Sequence, residues 1–186
     1  MVLVIGGVES GKRTFVRSLG LREADLFDCA LAAPDAAVSG AEAPDGKTPG
    51  AEGASVPAGA GSAPAHALSP DGVPASAETW DAARARLATC VGVVHLEEAL
   101  RPGGMFADAV PDAVASALAG KRVVACCEVG SGVVPADADA RAWRERVGRV
   151  CCALAARSDA VVRMVCGIPQ VLKGSLDGLA GEGGAA

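Results

Sequence analysis

The sequence predicts an α/β fold, a three-layer sandwich with a mostly parallel central sheet. Three observations carry that prediction. Short apolar, β-branched runs recur along the chain, and stretches with one apolar helical face separate them. Strands alternating with helices need crossover connections, which place helices on both faces of a parallel sheet. The third observation is local: the first apolar run leads directly into a glycine-rich loop, a lysine and a helix.

That first run, Val2 to Ile5, reads as a buried strand. Gly6, Gly7 and Gly11 allow the backbone to turn tightly and to approach a ligand closely. Lys12 follows, and Arg13 to Leu19 continues as a helix. Strand, glycine loop, lysine and helix together cradle the phosphates of a nucleotide. The loop N–H groups and the helix N-terminus face the anion, and the lysine charge bridges the outer phosphates. The expected nucleotide-binding residues are therefore Gly6, Gly7, Val8, Glu9, Ser10, Gly11, Lys12, Arg13 and Thr14, in a P-loop NTPase-like fold. The pattern G-x-x-x-x-G-K is met, but Arg13 stands where a Ser or Thr hydroxyl ordinarily ligates Mg²⁺. Thr14 is one place late, and one residue turns a helical side chain by about 100°. Thr14 and Glu97 are the expected Mg²⁺ ligands, and ATP or GTP the expected nucleotide.

The chain has 186 residues and a formal net charge of -5. That length supports one domain with a real core, and the acidic balance argues against a general nucleic-acid or anionic-membrane binder. Gly6 and Gly7 cut the first apolar run short, so it reads as neither a secretory leader nor a span, and a cytoplasmic protein is expected. The seven cysteines are odd in number and include no C-x-x-C. Lying mostly in apolar runs, they read as buried, reduced thiols rather than a metal or disulfide framework.

Leu21 to Ala33 is acidic and mixed. Residues 34–79 are almost wholly Ala, Gly, Pro, Ser, Asp and Glu, without an aromatic residue before Trp80. Such composition buries too little apolar surface to offset its ordering entropy, and predicts a low-complexity, disordered insertion in a single kinase-like domain. Asp81 to Thr89 reads as a helix and Cys90 to Leu96 as a second buried strand, with Glu97 and Glu98 at its end. Arg101 to Gly104 is a turn, Phe106 to Ala119 a helix, and Val123 to Cys127 a third strand. A glycine-punctuated loop, Glu128 to Pro135, precedes a helix capped by Asp137 or Asp139 and running to Arg157. Its Trp143, Val147, Val150 and Leu154 share one face. Ala160 to Val165 is a fourth strand, and residues 174–186 a frayed Gly/Ala tail.

In parallel sheets ligands bind at the carboxyl ends of the strands. That rule collects the Gly6–Lys12 loop, Glu97 and Glu98, the Glu128–Pro135 loop and Gly167–Pro169 along one edge. Lys12 and Glu128 are the expected catalytic pair. Lys12 neutralises transferred phosphate, and Glu128 accepts the proton of a substrate hydroxyl. Arg141 and Arg144 are rigid bidentate donors, equally suited to phosphate and to helical pairs with Glu145.

Two blocks resemble the adenosylcobinamide kinase / adenosylcobinamide-phosphate guanylyltransferase family. One is Gly6-Gly7-Val8-Glu9-Ser10-Gly11-Lys12. The other runs Glu128-Val129-Gly130-Ser131-Gly132-Val133-Val134-Pro135, then Arg141, Trp143-Arg144-Glu145 and Gly148, and closes with Ser158-Asp159-Ala160-Val161, Gly167-Ile168-Pro169 and Leu172-Lys173. The resemblance implies a P-loop fold and a homo-oligomer, commonly a trimer. It also implies two activities on a corrinoid, phosphorylation of the aminopropanol hydroxyl of adenosylcobinamide from ATP or GTP and transfer of GMP to that phosphate through a guanylylated histidine. This chain departs from the family at Arg13, where the family has Ser. It departs again at Val93-Val94-His95-Leu96-Glu97-Glu98, where the family's strand ends in an Asp-containing block, and at Cys151-Cys152, in place of Asn-Gln. The family's Arg-rich histidine segment is replaced by low-complexity sequence in which His66 has no Arg neighbours. The same features also fit a nucleotide-binding protein without catalysis, or a P-loop kinase of another small substrate.

Overall fold

In the computed structural model, which describes residues 1–32 and 80–177, a six-stranded sheet runs in the order β2-β3-β4-β1-β5-β6. The strands are β1 (Val2–Gly6), β2 (Leu26–Asp28), β3 (Gly92–Val94), β4 (Val123–Cys127), β5 (Ala160–Val165) and β6 (Ile168–Lys173). The first five are parallel, and β6 is antiparallel to β5. Strand β1 is central, with Val2 to Gly6 in register with Val123 to Cys127 on one side and Ala160 to Met164 on the other. The α/β sandwich with a mostly parallel sheet is thus the fold observed.

Alternation along the strands feeds two cores. Leu3, Phe27, Val93, Val124, Cys126 and Val161 point to one face and pack under α3 (Trp80–Thr89), α5 (Pro111–Leu118) and α6 (Ala138–Arg157), through Ala83, Leu87, Val114, Leu118, Val147, Val150 and Leu154. Val2, Val4, Leu26, Val94, Val123, Ala125 and Val162 point the other way, against Val16 and Leu19 at α1 (Lys12–Ser18). A parallel strand covered on both faces has no polar side to show, which is why these runs are continuously apolar.

Four sequence expectations differ from the structure. Leu21 to Ala33, read as acidic and mixed with no element assigned, contains a 3₁₀ turn at Glu23–Asp25, the edge strand β2 and a short helix α2 (Cys29–Ala32). The second strand is three residues long, because His95 adopts a left-handed backbone (φ 54°) and opens the short helix α4 (Leu96–Ala99), so Glu97 and Glu98 lie on a helix. The helix expected from Phe106 begins only at Pro111. Val110 is held extended (ψ 147°), as a residue before proline is, and Pro111 occupies the first helical turn. Finally, Cys166 and Gly167 both have positive φ and form a two-residue hairpin turn, which sends β6 back along β5. Pro169 is tolerated there because β6 is an edge strand. The 34–79 insertion, and the tail beyond Asp177, lie outside the described residues.

Candidate active site

Strand β1 delivers the loop. Gly6 cannot carry a side chain: a Cβ there would stand 2.6 Å from Ser10 Oγ and 2.7 Å from the Met164 carbonyl oxygen. Gly11 has φ 92°, and its Cα face lies against the β5–β6 turn, with Gly167 Cα 3.1 Å from where a Cβ would be. The Gly167 N–H donates to Ser10 O (3.1 Å), so that turn buttresses the loop. Between them Ser10 N–H closes onto Gly7 O (3.3 Å), and Glu9 takes a positive φ of 55°. Val8 and Glu9 are exposed at the tip. Helix α1 then starts at Lys12, with Gly11 as its N-cap. Lys12 Nζ, buried, curls back to donate to Gly6 O (3.1 Å) and Gly7 O (2.6 Å). Ser10 Oγ is buried with no partner among the described residues. A buried hydroxyl without a partner carries a free-energy cost that a phosphate oxygen would relieve. The loop expected from the sequence is therefore present, with an ammonium at its centre.

The strand ends add carboxylates. Glu128 follows β4, and its N–H donates to Gly6 O (2.9 Å), which sets it beside the loop; its Oε2 accepts from Arg163 Nε (3.1 Å). Glu97 is buried, its Oε2 accepts the Cys127 N–H (2.7 Å), and its carbonyl accepts from Trp143 Nε1 (2.9 Å). Burial, reinforced by the Glu97 charge and opposed by the Lys12 ammonium, pushes the Cys127 thiol up to about 11. Lys12, Cys127 and Glu97 thus meet at the end of β4. Glu97 and Trp143 join α4 to α6, and Arg101 stacks its guanidinium over the Trp143 ring (4.1 Å to the centroid).

A cluster that sequence reading did not assemble lies on the other side of the loop. Asp28, at the end of β2, accepts from His95 Nδ1 (2.8 Å) and the Ala30 N–H (3.0 Å) with Oδ1, and from Arg13 NH1 (3.1 Å) with Oδ2. Arg13 also donates to Glu23 through Nε (3.3 Å) and NH2 (2.6 Å). Burial pushes the Asp28 carboxyl up, but the His95 hydrogen bond and charge, the Ala30 N–H and the Arg13 charge hold it below the usual range. The Asp28 hydrogen bond raises the His95 imidazole above its ordinary value against desolvation. Because Asp28 is a carboxylate, Nδ1 carries the proton of this bond, which leaves Nε2 as the ring nitrogen not tied to Asp28. The signal was present in the sequence only as three isolated residues, since their meeting depends on the β2–β3 pairing.

Arg141 and Arg144 serve the 128–135 loop instead of a ligand. Arg141 donates to the carbonyls of Pro135 and Ala136, and Arg144 to those of Gly130, Gly132 and Val133. Cys29, Cys126 and Cys127 are buried as expected, but Cys152 and Cys166 are exposed, a correction to the reading of buried thiols; all seven are free.

The residues fit a nucleotide's phosphates but not a Mg²⁺ ion held by the usual protein ligands. Arg13 replaces the hydroxyl, Thr14 is exposed on α1, and both Asp28 oxygens are engaged. Glu97 and Glu128 each commit an oxygen to the protein. Among the described residues no three His, Cys, Asp or Glu side chains gather as a metal site.

A family model described as cobinamide kinase / cobinamide phosphate guanyltransferase matches residues 86–172, which span α3 from Arg86 through most of β6. No curated protein matches the chain. The match contains His95, Glu97, Glu128 and the hairpin turn that buttresses the phosphate loop, while the loop itself lies outside it. Over those residues, on the α/β scaffold just described, the chain is similar to the cobinamide kinase / cobinamide phosphate guanyltransferase family.

Proposed function

We propose that the protein phosphorylates the aminopropanol hydroxyl of adenosylcobinamide, with ATP or GTP as donor. The observation that carries the reading is the Lys12 ammonium at the centre of the glycine loop, on the strand-end edge of a chain with this family match. Phosphoryl transfer requires positioning and charge stabilisation more than covalent chemistry. The loop N–H groups and Lys12 hold the outer phosphates. The substrate oxygen bonds to the γ-phosphorus, the bond from that phosphorus to the bridging oxygen breaks, and the nucleoside diphosphate leaves. The hydroxyl proton goes to Glu128, which its pairing with Arg163 orients beside Gly6. The reading includes cytoplasmic action as a homo-oligomer, a trimer in the family's pattern. Ile168, Val171 and Leu172, exposed on β6, suit a covered edge.

Transfer of GMP is a second reading, favoured by the Asp28–His95 pair. With Nδ1 tied to Asp28, Nε2 is the nucleophile that bonds to the α-phosphorus of GTP as pyrophosphate leaves. The phosphate oxygen of the phosphorylated substrate then displaces the imidazole. Corrinoid products followed by mass test both readings. Lys12→Ala abolishes phosphorylation. His95→Asn leaves phosphorylation and abolishes the GDP-linked product. An unchanged GDP-linked product in His95→Asn contradicts the second reading alone.

A further inference from the structure

We propose that Arg13 supplies, from the protein, the positive charge that a divalent cation supplies to the outer phosphates in other loops of this kind, so that this site takes the free nucleoside triphosphate rather than its Mg²⁺ complex. The proposal rests on the phosphate-loop reading above and adds the form of the ligand. It starts from position. The residue after the loop lysine is the one whose side chain ordinarily reaches the metal. Here that residue is Arg13, on the first turn of α1. Its guanidinium is not a loose surface group. Asp28 holds NH1 at 3.1 Å, Glu23 holds Nε and NH2, and only three of its five N–H donors are used. A planar guanidinium fixed at one side presents the remaining donors as a fork, the geometry suited to phosphate oxygens.

The surroundings agree. Asp28, which ends β2 on the ligand edge, is engaged by Arg13, by the Ala30 N–H and by His95, three bonds across its two oxygens. His95 ends β3, where a metal-binding carboxylate was expected. A dication near Arg13 and Lys12 meets two fixed positive charges and, in Asp28, a carboxylate already bonded to Arg13, Ala30 and His95, whereas a triphosphate meets complementary charge. Arg17 sits outside this arrangement: it bonds to Glu23, which bridges it to Arg13 on the solvent side and orients the guanidinium.

Calorimetric titration of the full chain with GTP, and separately with ATP, in excess Mg²⁺ and in EDTA, tests this. The wild-type protein binds with affinities that agree within about threefold in the two buffers. Arg13→Ser loses about tenfold or more in EDTA and recovers in Mg²⁺, because the hydroxyl restores a metal ligand. Arg13→Gln, which keeps an N–H toward Asp28 without the charge, binds weakly in both. Arg17→Gln, which loses a bond to Glu23 but none to Arg13 or the loop, stays within about threefold of wild type in both, a result that separates a ligand-binding Arg13 from a general loss of surface charge. A wild-type affinity that falls about tenfold on chelation, or an Arg13→Ser protein that binds normally in EDTA, overturns the proposal and leaves the phosphate loop standing. Absence of GTP and ATP binding in either buffer overturns the loop reading and this proposal together.

Discussion

Lys12 is a charged residue sequestered by its own loop, its ammonium resting on the Gly6 and Gly7 carbonyls, and in the proposed reading a nucleotide's phosphates take the place of those carbonyls. Replacing it by Ala removes charge-assisted bonds worth about 1.5–3 kcal/mol, so nucleotide affinity falls about 10- to 100-fold, measured by equilibrium titration. A change below about twofold would mean the loop does not hold phosphate through this residue. Nearby, Glu23 shows what the same cluster contributes to stability. Hydrogen bonds from Arg13 and then Arg17 lower its carboxyl from about 4.5 to about 2. The folded value lies below the unfolded one, so the stabilisation is complete above about pH 4.5 and is lost as pH falls toward 2. The side chains are substantially exposed, which limits the contribution to about 1 kcal/mol or less. Thermal melts of Glu23→Gln and wild type therefore differ slightly at neutral pH and converge below pH 4.5; an equal difference at pH 3 would contradict the assignment.

At the scale of elements, lysines finish helices. Lys121 is buried at the start of β4 and donates to the carbonyls of Leu87, Ala88 (3.3 Å) and Cys90 (2.7 Å), the unsatisfied end of α3. Lys173 does the same for α6 at Ala155 (2.8 Å) and Ala156 (3.1 Å). Lys121→Met keeps the stem but orphans those carbonyls, and costs about 1.5–3 kcal/mol in denaturant unfolding, far above the few tenths expected of a surface lysine. Gly174 closes β6 with φ 72°, and a Cβ there would lie 2.0 Å from the Asp159 carbonyl oxygen. Gly174→Ala therefore destabilises by about 1–3 kcal/mol through backbone strain and displacement of the α6–β5 junction, read in the same assay. The long elements were legible before the fold was seen. Helix α6 announces itself by Asp137, whose carboxylate accepts the Ala140 N–H (2.7 Å), and by its spaced apolar face. Strands β2 and β6 were not legible. Three residues ending in Asp carry no periodicity, and a strand exposed along its whole length with Pro169 in it reads as loop until the hairpin turn pairs it with β5.

Across the whole molecule, the sheet order gathers onto one edge residues that are far apart in sequence. Asp28 and His95 are 67 positions apart and meet at 2.8 Å through the β2–β3 pair, while Glu128 reaches Gly6 through the β1–β4 pair. The phosphate loop could be read locally, because its glycines, lysine and flanking elements are contiguous. The Arg13–Asp28–His95 cluster could not, because it exists only once parallel pairing brings three chain segments together. No helix among the described residues is long and apolar enough to cross a membrane. The most direct test of the account is to incubate the protein with adenosylcobinamide and GTP, with and without Mg²⁺, and to follow the corrinoid by mass. The account predicts a corrinoid heavier by one phosphate that Lys12→Ala does not form. A corrinoid of unchanged mass in both buffers, from a protein that binds GTP, would contradict it.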